Sequence, residues 1–335
     1  MKTAKLLLLF LVGVPIFGTK ITIYLSLFLL SIPAMLNIRI KEYIVSFYVL
    51  VIPLLICELF VFQQLPIISL SIFFSIIIGY SNREFKIKSV TVVLTVLIVF
   101  QIISFYSIVN LGYDFVPDYL YGESRHRVGV NDFIQFRPSG IYQEPSTLAI
   151  YYIATLVILF TSKEKHKHKR ILIAIAALSS VLTFSVISLI SLVLLIIYNK
   201  RFIKGFLYQS SIAIISSLFI YHFVTSFVIT KVSSYSEKGL DNYNRLQLVY
   251  KIFDNNWFIP KNLIKEGVAF DNGPLVFLFL FCGIYSIPMI LYLVIKSKNN
   301  AGLLLMLITK ISITYPLFWA ILKNNEKIKN RYSNQ

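Results

Sequence analysis

Apolar runs, most of about 20 residues, recur from one end of the chain to the other, near 6–18, 21–38, 43–62, 65–80, 90–109, 144–162, 205–229 and 273–295. Two further apolar stretches cover 171–198 and 301–322. A run of that length formed into a helix covers a bilayer core of roughly 30 Å. The runs are continuous rather than striped, unlike the helices of a soluble core, and they lack the alternating ten-residue segments of a β-barrel. The pattern predicts an all-α, polytopic integral membrane protein with one membrane domain over 1–335. The opening "MKTAKLLLLFLVGVPIFGTK" has a basic end and a short apolar stretch. It lacks a small-x-small cleavage site and runs at once into another span, so it is expected to stay as an uncleaved first helix.

The polar punctuation sets the expected topology. Four strongly basic turns, "NREFKIK" (82–88), "KEKHKHKR" (163–170), "NKRFIK" (199–204) and "KSKNN" (296–300), are expected on the cytoplasmic side, where Lys and Arg accumulate. Only 28 apolar residues separate the second from the third, and two cytoplasmic ends require an even number of crossings, which predicts a hairpin of short spans turning near Thr183, Phe184 and Ser185. The same reasoning makes 301–322 a short hairpin turning near Lys310, because the tail "KNNEKIKNR" is basic. The result is about 12 spans with both termini cytoplasmic. Two long segments, 110–143 and 230–272, then lie outside. Of 15 acidic residues, 10 fall in these segments plus Glu144, against 9 of 32 Lys and Arg. Connections of 34 and 43 residues exceed what joining two helices needs, and loops that long are more often functional than idle.

Composition fits this picture: 57% of the 335 residues are hydrophobic and the mean hydropathy is +0.76. The net charge of +17 reads as topology rather than nucleic-acid binding, given where the basic residues cluster. Cys57 and Cys282 lie within apolar runs, far apart in sequence, and read as small buried hydrophobes rather than a disulfide framework or metal site. His166 and His168 of "KHKHKR" read as parts of a basic anchor before a metal site. Glu58 and Lys310 are ionisable residues within apolar stretches and are expected near the outer surface, since mid-bilayer charge costs about 2.5–3.5 kcal/mol on insertion scales.

Chemistry concentrates in the outer segments. In "RPSGIYQEPSTLAIYY" (137–152), Pro145 suits the first turn of a helix and makes Glu144 its expected cap, the carboxylate favoured by the positive end of the helix dipole. Arg137 falls just before that span. Guanidinium groups offer planar, two-pronged hydrogen bonding to phosphate oxygens, so two readings of Arg137 stand side by side: a grip on a lipid pyrophosphate, or a snorkelling arginine beside a turn. Arg125 and Arg127 lie earlier in the same segment. In the second segment, "SEKGLDNYNRLQLVYKIFDNNWF" (236–258) places apolar residues at helical spacing, as in a helix lying in the membrane interface. Arg245 borders its apolar stripe, with Asp241 one turn before as an ion-pair partner in the bland reading. Asp271 and Asn272, before Gly273 and Pro274, stand at the mouth of the next span.

Three stretches, "RPSGIYQEPSTLAIYY", "LTFSVISLISLVLL" and "FDNGPLVFLFLFCGIYSIPM", with their order along roughly 90–295, resemble the O-antigen polymerase (Wzy) and O-antigen ligase group of bacterial membrane glycosyltransferases. The resemblance implies a multi-pass protein of the bacterial inner (plasma) membrane with its active face extracytoplasmic. It implies an enzyme transferring a glycan from undecaprenyl pyrophosphate to a hydroxyl acceptor, with no cofactor, nucleotide sugar or metal. Its partners would be the undecaprenyl-pyrophosphate-linked oligosaccharide, membrane lipids, a chain-length regulator and a flippase, with no nucleic acid. The family's pyrophosphate-binding arginines map to Arg137 and Arg245, then to Arg125 and Arg127. Glu144 or Asp271 would orient or deprotonate the acceptor hydroxyl, with Asn272 beside the substrate. The polymerase pattern of an arginine, ten residues and a glycine is not matched, since 14 and 12 residues separate Arg125 and Arg127 from Gly140. Ligases carry a His at the mouth of the span where this chain has Asp271 and Asn272, which favours polymerase over ligase. A flippase for lipid-linked sugars would show midplane charges and short loops, and a non-catalytic scaffold would tolerate loss of Arg137. No Walker A, GxGxxG, HExxH or GxSxG motif supports nucleotide-driven transport, nucleotide cofactors or the common hydrolases.

Overall fold

The apolar runs form helices, and the polar residues among them decide where each helix stops and what it packs against. A computed structural model describes residues 2–11, 20–35, 44–81, 85–121, 137–142, 144–162, 166–183, 273–298, 301–308 and 311–332, with positions 14, 164, 185, 192, 259 and 260 besides. In chain order the helices are α1 (Lys2–Leu11), α2 (Lys20–Met35), α3 (Ile44–Val61), α4 (Ile67–Ser81), α5 (Ile87–Leu111), α6 (Phe115–Tyr121), α7 (Pro145–Thr161), α8 (Lys169–Val181), α9 (Pro274–Ser297), α10 (Ala301–Ile308) and α11 (Pro316–Tyr332). Two are irregular. In α3, wide π turns at Phe47–Val51 and Cys57–Val61 flank a regular turn that holds Pro53, and α9 tightens to a 3-10 turn at Gly283–Ser286.

Side-chain contacts give the helices their directions. Lys5 donates to the carbonyl (3.3 Å) and hydroxyl (2.8 Å) of Ser81 at the end of α4, and Thr3 shares a hydrogen bond with Ser89 at the start of α5. Lys323 of α11 donates to the Tyr80 carbonyl. Lysines from both terminal helices thus satisfy carbonyls that the last turn of α4 leaves open. At the same end Glu164, beyond α7, accepts from the Ile87 N–H at 2.7 Å and caps α5. At the opposite end of α4, Glu58 accepts from the N–H groups of Ile68 (2.9 Å) and Ser69 (2.8 Å). This buried carboxylate caps the next helix and turns α3 into α4. Close by, the free thiols Cys57 and Cys282 meet where α3 packs on α9, beside the rings of Phe62 and Phe281 (centroids 5.0 Å apart).

The centre of the bundle is α7, buried without a break from Leu148 to Leu159. A helix apolar on every face must be enclosed on every face. It packs against α5, α8, α10 and α11. Gly79 marks the tightest crossing: a Cβ there would lie 2.5 Å from the Trp319 Cβ and 2.7 Å from the Pro316 carbonyl, so only glycine lets α4 and α11 approach this closely.

Three described helices, Ile44–Val61, Ile87–Leu111 and Pro274–Ser297, are long and apolar enough to cross a bilayer, and Leu25–Met35, Ile67–Ser81 and Pro145–Thr161 are shorter apolar helices. The described residues therefore support a helical membrane protein without reaching the expected dozen spans. The expected span at 205–229, the return arm of the 171–198 hairpin apart from Ser185 and Leu192, and Lys310 lie outside them. Helix α8 does end near the expected turn, at Leu182 and Thr183. Within 301–322 the described residues form α10, a turn and the start of α11. Helix α10 has 8 residues, about 12 Å of rise, and the turn at 311–315 lies level with the middle of α4, where Ser75 donates to the Thr314 carbonyl. Trp319 Nε1 donates to the Ile313 carbonyl at 2.8 Å and Ser312 bonds Thr314 at 2.7 Å. Protein groups thus satisfy the irregular backbone of this turn.

Candidate functional site

The far end of α5 carries the densest buried polar chemistry. After Leu111 and Gly112 the chain reverses, and α6 lies back along α5, so that Asp114 returns to a residue ten positions earlier. The fully buried Asp114 carboxylate accepts the Ser104 hydroxyl at 2.6 Å and the Ser139 hydroxyl at 2.7 Å through the same oxygen, Oδ2. The Ser139 N–H donates to Ser104 Oγ at 3.1 Å, closing the ring. Ser107, one turn further along α5, accepts from the Phe115 N–H at 3.3 Å and holds the start of α6.

Ser139 belongs to the stretch 137–142, whose six residues are all buried. Rather than standing above the helix ends, this loop inserts among them, against α5 and α7. Gly140 turns it with φ of +63°, a conformation that suits glycine, and a Cβ there would meet Leu148 at 3.4 Å. Tyr142 anchors the inner edge: its hydroxyl donates to the Phe10 carbonyl at 3.2 Å and its ring stacks on Tyr151 with centroids 4.2 Å apart. Tyr151 stacks in turn toward Tyr315 of the 311–315 turn, at 6.5 Å. This column of tyrosines joins the 137–142 loop to the 311–315 turn.

Arg137, 7% exposed, opens the inserted loop. Glu144 occupies the N-cap position of α7 with extended backbone, and Pro145 takes the first helical position, as expected. Its carbonyl accepts the first N–H groups of the helix, from Thr147 and Leu148. Its half-buried carboxylate accepts the Ser146 hydroxyl at 3.0 Å and makes no side-chain capping bond to the helix backbone. Arg125, Arg127, Arg245, Asp271 and Asn272 lie outside the described residues.

Just below, a second polar set links three helices. Gln101 of α5 donates to the Ser179 carbonyl near the end of α8 at 3.1 Å and accepts the Tyr152 hydroxyl of α7 at 2.6 Å. Gln101 and Ser104 are neighbours on one face of α5, so the two polar sets form one continuous region. On the outside of the same end, Tyr106, Tyr113, Phe115 and Tyr119 are exposed, the residue types that collect at membrane–water boundaries.

Sequence reasoning placed Arg137 and Glu144 in this region and passed over Asp114, Ser104, Ser139, Gln101 and Tyr152. Asp114 stands among several acids of its segment, and nothing local distinguishes it. The one available signal was Gln101 and Ser104 within an otherwise apolar span, where polar side chains need partners. His166 and His168, exposed with rings 5.7 Å apart, remain in the basic turn, and no group of three or more metal-ligating side chains occurs among the described residues.

Fold and site together define a helical membrane protein with a buried polar region where α5, α7 and an inserted loop converge. Compared with known proteins, the chain matches no family model, no curated protein and no solved structure.

Proposed function

We propose that the protein is a polymerase of lipid-linked oligosaccharide repeat units, moving a glycan from undecaprenyl pyrophosphate to a hydroxyl of a second lipid-linked glycan at the outer leaflet of a bacterial plasma membrane. The observation that carries the reading is Arg137: a buried arginine on a loop inserted against α5 and α7, in a chain whose sequence resembles that enzyme group. Ionisable residues are rare within the apolar part of a membrane protein, and their placement there is a pointer to function.

Attack of a sugar hydroxyl on the anomeric carbon breaks the bond to the pyrophosphate oxygen, and negative charge grows on that leaving group. A fixed guanidinium stabilises the charge with little reorganisation, and its planar donors match two phosphate oxygens. In this scheme Arg137 binds the pyrophosphate together with Arg245, Arg125 and Arg127. Glu144 or Asp271 takes up or orients the acceptor proton, and Asn272 contacts the substrate. The reaction needs no metal in this scheme. The product would enter O-antigen, capsule or exopolysaccharide.

The test supplies purified protein with a lipid-linked repeat unit and resolves the products by length. A ladder of lengths is expected. Arg137→Ala and Arg137→Lys should both abolish it while the protein still inserts and purifies normally. Transfer only to a terminal acceptor such as lipid A core would mean a ligase, and no product would favour a flippase or scaffold. A lysine variant that polymerises like the parent would remove the pyrophosphate role of Arg137.

A further inference from the structure

The carboxylate of Asp114 has no part in the scheme above, yet it is fully buried and ties together residues 104, 114 and 139. Simple adhesion between a loop and a helix needs no charge, and apolar side chains of similar volume would supply it at lower desolvation cost. What a carboxylate adds is geometry. Both hydroxyl donors lie at charge-assisted distances on one oxygen, 2.6 and 2.7 Å, and Ser139 is held a second time through its main chain. A network bonded in this way admits one position of Ser139 relative to α5. Arg137 is two residues away, with Pro138 between them limiting the backbone freedom of the link.

We infer that Asp114 is the positioning residue of this site: through Ser139 and Ser104 it fixes the Arg137 loop on α5 and so sets the affinity of the guanidinium for a pyrophosphate group. The inference rests on the proposed function in taking pyrophosphate as the ligand. Asp114 acts on the ligand only by way of the loop. Its loss therefore weakens the hold on pyrophosphate, in contrast to a purely structural bond elsewhere in the bundle.

The experiment measures binding of inorganic pyrophosphate and of a short-chain prenyl pyrophosphate to purified protein, and KM and kcat for the lipid-linked donor per folded molecule. It compares Asp114→Ala, Asp114→Asn, Ser139→Ala, Arg137→Ala and, as a control, Glu58→Ala. Asp114→Ala should raise Kd and KM about 10-fold, with kcat changing less. Asp114→Asn, which keeps an acceptor for the hydroxyls, and Ser139→Ala, which removes one bond, should raise them about 3-fold. Glu58→Ala should lower thermal stability and leave Kd and KM at parent values. If Asp114→Ala does not fold, the milder two variants decide. Parent-like Kd and KM in folded Asp114 and Ser139 variants, with binding lost in Arg137→Ala, overturn the positioning role alone. Unchanged binding in Arg137→Ala, or a parent that binds neither probe, overturns the proposed function and this inference with it.

Discussion

Lys323 and Arg137 are both buried cations, Lys323 at the end of α4 and Arg137 on the loop held at the far end of α5. Lys323 lies on a regular helix, donates to the Tyr80 carbonyl and sits over the Tyr80 ring at 5.5 Å. With Lys5 it completes the end of α4, a task any helix terminus imposes. Arg137 lies on irregular backbone held in place by a carboxylate, two serines and a tyrosine stack. The same contrast separates the carboxylates: Glu58 caps α4 through two backbone N–H groups, whereas Asp114 accepts the hydroxyls of Ser104 and Ser139 and orders a loop. Burial of a charge is therefore a poor guide to function by itself. What distinguishes the two ends is whether the partners are the open groups of a helix terminus or a separately built support.

That contrast breaks if the two ends respond alike to substitution. The largest effect is expected at Arg137, where alanine should cost about 100-fold or more in chain extension per folded molecule on a ladder assay. Next comes Gly79→Ala at the α4–α11 crossing, where the added methyl has nowhere to go. It should cost about 3 kcal/mol, read as a fall in melting temperature in detergent, with activity per folded molecule unchanged. Glu58→Ala should cost about 2 kcal/mol, because two helix N–H groups lose their acceptor. Lys323→Met, leaving the Tyr80 carbonyl without its donor, should cost about 1 kcal/mol in the same measurement. Lys5→Met, at a partly buried position, should cost about 0.5 kcal/mol. A substrate-affinity change in Lys323→Met comparable with that in Arg137→Ala would erase the distinction between the ends.

Much of the helical architecture was legible in the chain. The runs at 43–62, 65–80, 90–109, 144–162 and 273–295 appear within a few residues as α3, α4, α5, α7 and α9. The Glu144–Pro145 start of α7 was readable because a proline and its preceding residue state a local preference. The depth of 137–142 was not, because a polar six-residue stretch looks the same above a bundle or within it. Its burial depends on Asp114, Gln101 and Tyr151 arriving from other segments. The placement of the 311–315 turn beside Ser75 of α4 was not legible for a similar reason. Counting charges at the two ends of 301–322 fixes parity and says nothing of how far a hairpin reaches.

The sequence by itself determined that this is an all-helical membrane protein. That follows from a local quantity, the free energy of placing each apolar run in a bilayer, which needs no knowledge of neighbours. It also marked Arg137 and Glu144 as residues at a join between polar loop and span. The tertiary structure alone decided which polar groups meet. It paired Cys57 with Cys282, set Glu58 on the start of α4 and Lys323 on its end, and drew Ser104, Asp114 and Ser139 into one ring around the Arg137 loop. Each of these partnerships joins residues through packing geometry. Hydrogen bonds such as these depend on positions that hydropathy along the chain does not specify.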